Sequence, residues 1–279
     1  MPRERLPDSG ILNPAAPSAE PSQPSQPPMN LADITSHLDA YLRIAEIPDS
    51  DRALNGLQVE NAGSVERIVA AVDASQASIE HAAAKGRGTL LLVHHGLFWD
   101  GNLALTGRRY RRLATAIRGD VAVYSAHNPL DLHPEVGNNP VLAAQLGIPV
   151  EKWWGEYHGV NIGVLGTVDL ARDDLADRFR RLLGGRVQVI PGGPERCRRV
   201  GIITGGAGMM IAAARDAGCD TFITGEGTHH TWFDAMEGGI NVLYGGHYAT
   251  ETMGVKALAE KLGHSFGLPW TFFDLPTGR

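Results

Sequence analysis

Apolar segments of strand length alternate with amphipathic segments of helix length, and this alternation limits the fold more than any other feature of the chain. One run of such segments starts at Arg67 and a second starts at Arg198, and each contains three apolar segments. Strand and helix patterns that alternate in this way predict parallel strands covered by helices. We therefore expect an α/β protein with mostly parallel sheets.

The predicted elements fall into two runs with a different pattern between them. In the first run we predict strands at 67–73, 89–94 and 121–126 and helices at 76–85, 107–118 and 139–146. In the second we predict strands at 198–204, 220–224 and 241–244 and helices at 207–217, 228–238 and 248–262. Between the runs, strands at 153–168 and 186–190 flank a helix at 173–183, and a last strand at 270–274 ends the chain.

The two runs carry similar motifs at corresponding places. In each run a pair of histidines follows the second strand, and the third strand ends in a turn with one histidine and a carboxylate four residues later. These motifs are His94–His95 with His127 and Asp131 in the first run, and His229–His230 with His247 and Glu251 in the second. We infer an internal duplication into two similar halves. Because ligands gather beyond the carboxyl ends of parallel strands, halves that face each other would bring these groups into one cleft.

Composition and pattern divide the chain into four predicted segments. Residues 1–28 are rich in Pro and Ser and have too little apolar surface to offset the entropy of ordering, so we predict a disordered tail. We predict a first α/β half at 29–150, a connecting mixed segment at 151–192 and a second α/β half at 193–279. An amphipathic helix opens at Met29, which suggests the hypothesis that translation starts there.

Bulk composition excludes several classes of protein. The sequence has 25 basic against 31 acidic residues, a formal charge of -6, so we expect no generic binding of nucleic acid. No apolar run approaches the roughly 18 residues that a spanning helix needs, and the N-terminus lacks a secretory signal pattern. The two cysteines are too few for a disulfide framework, so the cytoplasm is the expected location.

Five side chains near predicted strand ends have the chemistry of a metal site: His94, His95, Asp131, His247 and Glu251. Imidazoles and carboxylates suit a pair of first-row divalent cations, and five ligands leave positions open for water or substrate. The chain can turn after the strand, so the two neighbouring imidazoles can reach different ions. His247 and Glu251 lie four residues apart at a helix start and share a face. The alternative is that His94 and His95 form only a polar strand end.

We predict two divalent metal ions per subunit, and this ligand set suits zinc, iron, manganese and nickel alike. His127 lies near Asp131 on a predicted loop, where it could orient a ligand or transfer protons. Glu226 follows a strand between two glycines and could act as a general base or accept a hydrogen bond from a ligating imidazole. His229 and His230 could equally form a solvent-exposed turn. The loop 204–208 could bind an anion or serve only for tight packing.

Several motifs together resemble the Nif-three-like family, whose members are also labelled GTP cyclohydrolase I type 2 homologues. The motifs are Asn55-Gly56-Leu57-Gln58-Val59, His94-His95-Gly96-Leu97-Phe98-Trp99, Tyr124-Ser125-Ala126-His127, Pro129-Leu130-Asp131, Gly137-Asn138-Asn139, Thr224-Gly225-Glu226 and Gly245-Gly246-His247-Tyr248-Ala249-Thr250-Glu251. They span the chain from Met29 to the C-terminus, and the chain resembles the short form of the family, without an inserted domain. The resemblance implies two intertwined α/β halves around a dinuclear metal centre and a homohexamer built as a trimer of dimers. It also implies metal ligands at His94, His95, Asp131, His247 and Glu251.

The family label implies hydrolytic opening of the guanine ring of GTP, but no basic cluster suited to a triphosphate is evident near the motifs. We therefore expect a metal-dependent hydrolase in which a metal-bridging water attacks a small substrate, a nucleotide or another phosphorylated or cyclic amide compound. The alternative is a non-enzymatic ring that acts as a scaffold, a metal chaperone or a regulator. A third hypothesis, a DNA-associated ring, is disfavoured by the acidic net charge.

Overall fold

The structure, a computed structural model, describes residues 27–278. All but the last two residues of the predicted tail 1–28 lie outside this range. Among the described residues, no helix is both long and apolar enough to cross a membrane.

Strands and helices alternate along the chain as the sequence pattern predicts. Up to residue 149 the strands are β1 (Met29–Asn30), β2 (Gly56–Val59), β3 (Ser64–Val65), β4 (Arg67–Asp73), β5 (Thr89–His95) and β6 (Val121–Ser125). The helices of this part are α1 (Leu31–Tyr41), α2 (Gln76–Ala84), α3 (Gly107–Arg118), α4 (Asn128–Asp131) and α5 (Asn138–Leu146). The short strands β1 and β3 pair with each other.

The remaining residues build a second set. Its strands are β7 (Val150–Tyr157), β8 (Val160–Ala171), β9 (Gln188–Pro191), β10 (Arg196–Ile202), β11 (Thr221–Thr224), β12 (Asn241–Tyr244) and β13 (Trp270–Phe272). Its helices are α6 (Arg172–Leu183), α7 (Ile211–Asp216), α8 (Thr231–Gly238), α9 (His247–Thr250) and α10 (Thr252–Phe266), and a 3-10 turn, Gly208–Met210, precedes α7.

Two large sheets form the framework. One has the strand order β13-β4-β5-β6-β2 and the other β7-β8-β10-β11-β12-β9. Neighbouring strands are parallel from β13 to β6 in the first sheet and from β10 to β12 in the second. The remaining strands, β2, β7, β8 and β9, pair antiparallel with their neighbours. The predicted α/β class with parallel strands at the centre of each sheet is therefore confirmed. The predicted connection 151–192 supplies β8, α6, β9 and all but the first residue of β7.

Each sheet is buried on both faces because its strands carry apolar side chains in succession. In β4, Ile68 and Ala70 pack in one core with α1 and α10, whereas Val69 and Ala71 face α2 and α3 on the other side. The six-stranded sheet is covered in the same way by α5 and α6 on one face and by α7 and α8 on the other. Continuous apolar strands of this kind are typical of sheets between two helical layers.

The halves exchange helices, which makes them intertwined. Helix α5 follows the first sheet in the chain, yet its Leu142 and Leu146 pack in a core of the six-stranded sheet. Helix α10 follows the six-stranded sheet, yet its Leu258 and Leu262 pack against the five-stranded sheet. The chain then adds β13 beside β4. Each half is therefore completed by the other.

The predicted duplication is visible in the topology. The order α1-β2-β4-α2-β5-α3-β6-α4-α5 is repeated as α6-β9-β10-α7-β11-α8-β12-α9-α10, and both units place their strands side by side in the same order. The short pair β1 and β3, the hairpin β7–β8, the 3-10 turn and the strand β13 stand outside the repeat. The two halves are therefore similar in architecture, as the sequence predicts.

The residue correspondence between the halves differs from the predicted one. Ala126 N donates to Val93 O at 3.0 Å, and Gly245 N donates to Thr224 O at 2.9 Å in the same place of the second half. These hydrogen bonds align Gly225 with His94 and Glu226 with His95. The pair His229–His230 is therefore not the counterpart of His94–His95. The same hydrogen bonds align His127 with Gly246, one residue before His247. The motifs are similar in composition but are shifted along the repeat.

Candidate metal centre

The predicted ligands come together in a cavity at the carboxyl ends of the parallel strands. His94 and His95 are the last two residues of β5, His127 follows β6, and His247 opens α9 after β12. The cavity has a volume of about 690 Å³. Its lining consists of Asp73, His95, Trp99, His127, Asn128, Asp131, Tyr157, Ile162, Ile203, Thr204, Gly206, Ala207, Met209, Met210, His247 and Glu251. Both halves contribute to it.

His94 is fully buried and lacks a partner for one ring nitrogen. Its Nδ1–H donates to the carbonyl oxygen of Ala126 at 2.9 Å. Its Nε2 lies 3.7 Å from Asp131 Oδ2 and 3.7 Å from Glu251 Oε1, and it has no hydrogen-bond partner. A buried polar atom without a partner costs free energy. A cation at this point would satisfy it.

The other three imidazoles are each held by a carboxylate at Nδ1. Asp73 is 2.9 Å from His95, Asp49 is 2.8 Å from His127 and Glu226 is 2.9 Å from His247. A carboxylate only accepts, so each of these Nδ1 atoms carries a proton and donates it, which leaves Nε2 as the nitrogen that can bind a cation. This is the arrangement that metal-ligating histidines use. The histidines are thus oriented as ligands.

Glu251 is buried between these rings and offers each of its oxygens to a different group. Oε1 faces His94, whereas Oε2 lies 3.4 Å from His95 Nε2 and 3.2 Å from His247 Nε2. Oε2 is buried and forms no hydrogen bond to either ring. A carboxylate in this position can bind one cation at each oxygen.

Charge in the cavity shifts the pKa of several groups. Burial by itself lowers the pKa of His94, but the charges of Asp131 and Glu251 outweigh it and raise the pKa to about 10. For His247, burial is likewise outweighed by Glu251 and Glu226, which raise the pKa to about 9. Burial alone would raise the pKa of Glu251, yet the charges of His95 and His94 hold it well below its usual value. The carboxylates thus favour positive charge on His94 and His247, and the imidazoles favour negative charge on Glu251.

The loop after β10 approaches Glu251 so closely that only glycine fits. A Cβ on Gly205 would lie 2.2 Å from Glu251 Oε1 and 3.4 Å from His247 Nε2. Gly205 also has a φ of +71°, in the left-handed region that glycine adopts without strain. Gly205 therefore serves close packing against the centre, whereas the sequence suggested either anion binding or tight packing between strand and helix for the glycines of this loop.

Two overlapping groups of side chains could hold an ion. The ligand atoms of His94, His95 and His127 lie within 4.8 Å of one another, and so do those of His95, His247 and Glu251. His127, for which the sequence suggests an orienting or proton-transfer role, therefore stands as close to the cluster as the predicted ligands. Asp131 lies beside the first group, and its Oδ1 accepts from Asn138 Nδ2 at 2.8 Å.

The remaining predicted residues lie at different distances from the cavity. Glu226 is outside the lining and touches the centre through its hydrogen bond to His247. His229 and His230 are exposed in the turn before α8, as the alternative interpretation predicts. His230 Nε2 lies 3.3 Å from the sulfur of Met209, at the rim of the cavity.

Sequence reasoning missed Asp49, Asp73 and Trp99. Asp73 ends β4 and pairs in register with His95, so a comparison of neighbouring strand ends could have found it. Trp99 follows the histidine pair and packs edge-on against His127, with ring centroids 4.8 Å apart. Asp49 lies in the segment after α1, far along the chain from His127, and no local pattern distinguishes it.

The donor set fits divalent metal ions. It contains two buried polar atoms without partners, four imidazoles held at Nδ1 so that Nε2 is left to bind a metal, and carboxylates that can neutralise the charge. The cavity is open enough to admit a small molecule. The part of the chain that the structure describes thus contains side chains that could hold metal.

Comparison with known proteins gives a consistent result. Residues 29–277 match the family Duf34/NIF3 (NGG1p interacting factor 3). A protein of Deinococcus radiodurans named GTP cyclohydrolase 1 type 2 homolog is 44% identical over 248 residues, which cover 88% of this chain and 93% of the relative. A protein of Archaeoglobus fulgidus with the same name is 39% identical, with 89% of this chain and 99% of the relative covered.

A solved structure shares both fold and sequence. The crystal structure of TTHA1606 from Thermus thermophilus superimposes with a TM-score of 0.80 at 41% identity and covers 90% of this chain and 100% of its own. The resemblance that the motifs indicate is confirmed by these matches. The chain belongs to the Duf34/NIF3 family.

Proposed function

We propose that the protein is a metal-dependent hydrolase that holds two divalent cations per subunit and acts on a small substrate. The observation that carries this proposal is the set of four imidazoles locked at Nδ1 around the buried carboxylate of Glu251. The name that the curated relatives carry, GTP cyclohydrolase 1 type 2 homolog, agrees with hydrolysis and implies a nucleotide as one candidate substrate.

The count of two ions is supported by the position of Glu251 between two groups of ligands. One ion would use His94, Asp131 and Oε1 of Glu251, and the other would use His95, His247 and Oε2 of the same carboxylate. Such cations supply Lewis acidity and lower the pKa of coordinated water toward neutrality.

The protein's own residues orient the site and handle protons. Asp73, Asp49 and Glu226 fix the imidazoles of His95, His127 and His247 by accepting from Nδ1. Of the two roles considered for Glu226, we propose the acceptor role, because the carboxylate lies behind His247 and not in the lining. His127 lines the cavity next to the rings of His94 and His95, and its Nε2 can accept a proton from a reacting molecule.

Metal analysis of freshly purified protein tests the site. We expect two equivalents of a transition metal in the unmodified protein and the loss of at least one in His247→Ala. The variant His229→Ala is the matched control, because His229 is exposed outside the lining, and it should keep both equivalents. A protein that binds no metal, or a His247→Ala variant that keeps both ions, contradicts the proposed centre.

A metabolite screen tests the enzymatic part of the proposal. Protein loaded separately with Mn, Fe, Zn and Co should hydrolyse at least one compound. The His229→Ala variant should hydrolyse the same compound, and the His247→Ala variant should not. A loaded protein with no turnover in such a screen would support a scaffold or metal chaperone instead.

We also propose assembly into a homohexamer in the cytoplasm. Trp232, Phe233 and Met236 on α8 are large apolar side chains exposed to solvent, which is typical of surfaces that another protein covers. Both cysteines are free, as expected in a reducing compartment. Light scattering coupled to gel filtration should give six subunits, and a monomeric mass contradicts this proposal.

A further inference from the structure

We propose that the cavity selects compounds with one planar ring system and at most one anionic group, and that it discriminates against nucleoside triphosphates. This inference rests on the proposed function, because it treats the metal-lined cavity as the substrate site. It narrows the substrate class by the chemistry of the side chains that line the cavity.

The cavity has two chemically different walls. The carboxyl ends of β4 and β5 and the residues after β6 and β12 supply the imidazoles and carboxylates. The other part of the lining is mostly apolar and comes from the β7–β8 hairpin and the segment after β10. It consists of Tyr157, Ile162, Ile203, Ala207, Met209 and Met210. A substrate that fits both walls has one polar end toward the cations and an apolar body.

The deep part of the apolar wall is held in place by glycines. A Cβ on Gly163 would lie 2.4 Å from Ile203 Cγ1, and a Cβ on Gly155 would lie 2.8 Å from Ile203 Cδ1 and 3.5 Å from Met210 Cε. The side chain of Ile203 therefore fills the space that the two glycines leave. Ile203 is therefore held in place before a ligand arrives, which lowers the entropic cost of binding at this part of the wall.

An aromatic ring lies on the ligand side of the cavity. Trp99 packs edge-on against His127 and against His95, with centroid distances of 4.8 Å and 5.8 Å. Its position is thus tied to two rings of the metal centre. A flat ring system can contact Trp99 and the apolar wall at once, whereas a flexible polar chain gains little from either.

Among the residues that the structure describes, no lysine or arginine lines the cavity. The charged groups of the lining besides histidine are Asp73, Asp131 and Glu251, all of which are acidic. Arg112 is close enough to Asp73 for the carboxylate to act on its pKa, but it does not line the cavity. Two cations can neutralise one anionic group of a ligand, and this lining then offers no cationic side chain for further phosphates.

A triphosphate would therefore carry uncompensated charge into the cavity. Either its outer phosphates face the apolar wall and lose their hydration, or they approach Asp73 and are repelled. A nucleoside or a monophosphate with the same base avoids both costs. The three compounds share the base, so the cavity discriminates against the triphosphate because of its charge.

Calorimetric titration of the metal-loaded protein tests the inference. The probes are guanosine, guanosine monophosphate and GTP, which share one ring and differ in charge, in a buffer with excess Mg²⁺ so that GTP does not strip the site. We expect guanosine and the monophosphate to bind, and GTP to bind about tenfold more weakly than the monophosphate. Equal or tighter binding of GTP overturns the proposal, and so does the absence of binding by both other probes.

A charge added at the rim tests the cause. Met209 is 69% exposed, so Met209→Lys should fold normally and should raise the affinity for GTP relative to guanosine by about tenfold. Ile117→Lys places the same charge on an exposed position of α3 outside the lining, and the ratio should stay as in the unmodified protein. An unchanged ratio in Met209→Lys overturns the proposal.

These titrations measure binding and need no turnover. If the probes bind in the expected order but no compound is ever hydrolysed, the proposed function fails and the selectivity of the cavity stands. If a triphosphate is bound and hydrolysed as well as the smaller compounds, the selectivity fails and the proposed function stands.

Discussion

A single glycine determines how closely the loop after β10 approaches Glu251. Gly205 combines a φ of +71° with a Cβ position only 2.2 Å from Glu251 Oε1. A side chain would have to displace a carboxylate that lies within reach of three imidazoles. Glu251 can therefore occupy its position in the candidate metal centre only because residue 205 has no side chain.

We predict that Gly205→Ala weakens metal binding at least about tenfold, measured by competition with a chromogenic chelator. Gly239→Ala is the matched control, because Gly239 has a φ of +69° and nothing within 4 Å of a Cβ. It should lose about 1 kcal/mol of stability through backbone strain and keep its metal affinity. Equal metal affinity in both variants would contradict the steric role of Gly205.

The two cysteines are buried, and burial raises the pKa of each thiol. For Cys219 the pKa rises from 9.0 to about 12, and for Cys197 it is raised as well. A thiol whose folded pKa lies above its unfolded value favours the folded state below the unfolded pKa, and this contribution is lost as the pH rises from about 9 toward 12.

We therefore predict that neither thiol reacts with a disulfide reagent at pH 8 while the protein is folded. Both should react after unfolding in urea, because the thiolate is the reactive form and the unfolded chain exposes it. The reaction is followed by absorbance. Rapid reaction of a thiol in the folded protein at pH 8 would show that its burial is incomplete.

The residues of the site could be predicted from the sequence where they lie next to a distinctive motif. His94, His95, His247 and Glu251 stand at strand ends or at a helix start, and the structure brings them together. Asp49 could not be predicted, because its contact with His127 joins segments that are distant in the chain. Such a contact depends on packing and leaves no periodic pattern.

Among the elements, buried parallel strands were predicted most accurately. The continuous apolar residues of β5 are typical of a buried strand, so its prediction was straightforward. Strand β2 was missed because it is a short, half-buried edge strand. The segment predicted as one strand at 153–168 is a hairpin that turns at His158 and Gly159, both with positive φ. The predicted helix 248–262 is interrupted at Glu251, which has a φ of -101° and a ψ of 4°.

That interruption places Glu251 between α9 and α10, so the packing of α10 should determine the position of the Glu251 carboxylate. We predict that Leu258→Ala, at a fully buried position of α10, lowers the free energy of unfolding by about 2–5 kcal/mol and weakens metal binding. Urea unfolding and chelator competition measure the two effects.

Leu175→Ala is the matched control, because Leu175 is equally buried but lies on α6, which carries no ligand. It should lose similar stability and keep its metal affinity. If both variants lose metal affinity to the same extent, the weaker binding follows from the general loss of stability and not from a change in the position of α10.

For the whole molecule, the duplicated fold was easier to predict than the alignment of its halves. Gly225 and Glu226 occupy the place of His94 and His95, so the same position supplies the proposed ligands in one half and a carboxylate that orients His247 in the other. The sequence could not show this, because the histidine pair at 229–230 resembles the first pair in composition. Only the hydrogen bonds between strands fix the correspondence.

The centre joins the halves, so metal removal should destabilise the entire protein. We predict that a chelator lowers the midpoint of thermal unfolding, because ion binding at a hundredfold excess over Kd contributes about 2.7 kcal/mol. His94→Ala, which lacks a ligand from the fully buried part of the centre, should show a much smaller shift with the chelator. Equal midpoints with and without chelator in the unmodified protein would contradict this linkage.

The late position of β13 in the chain has a consequence for synthesis on the ribosome. The edge of β4 stays uncovered in a nascent chain until residues 270–272 have emerged, although β4 itself is made some 200 residues earlier. An open strand edge can pair with a neighbouring chain. We therefore expect that a growing chain can mispair with other growing chains at the β4 edge until translation is almost finished.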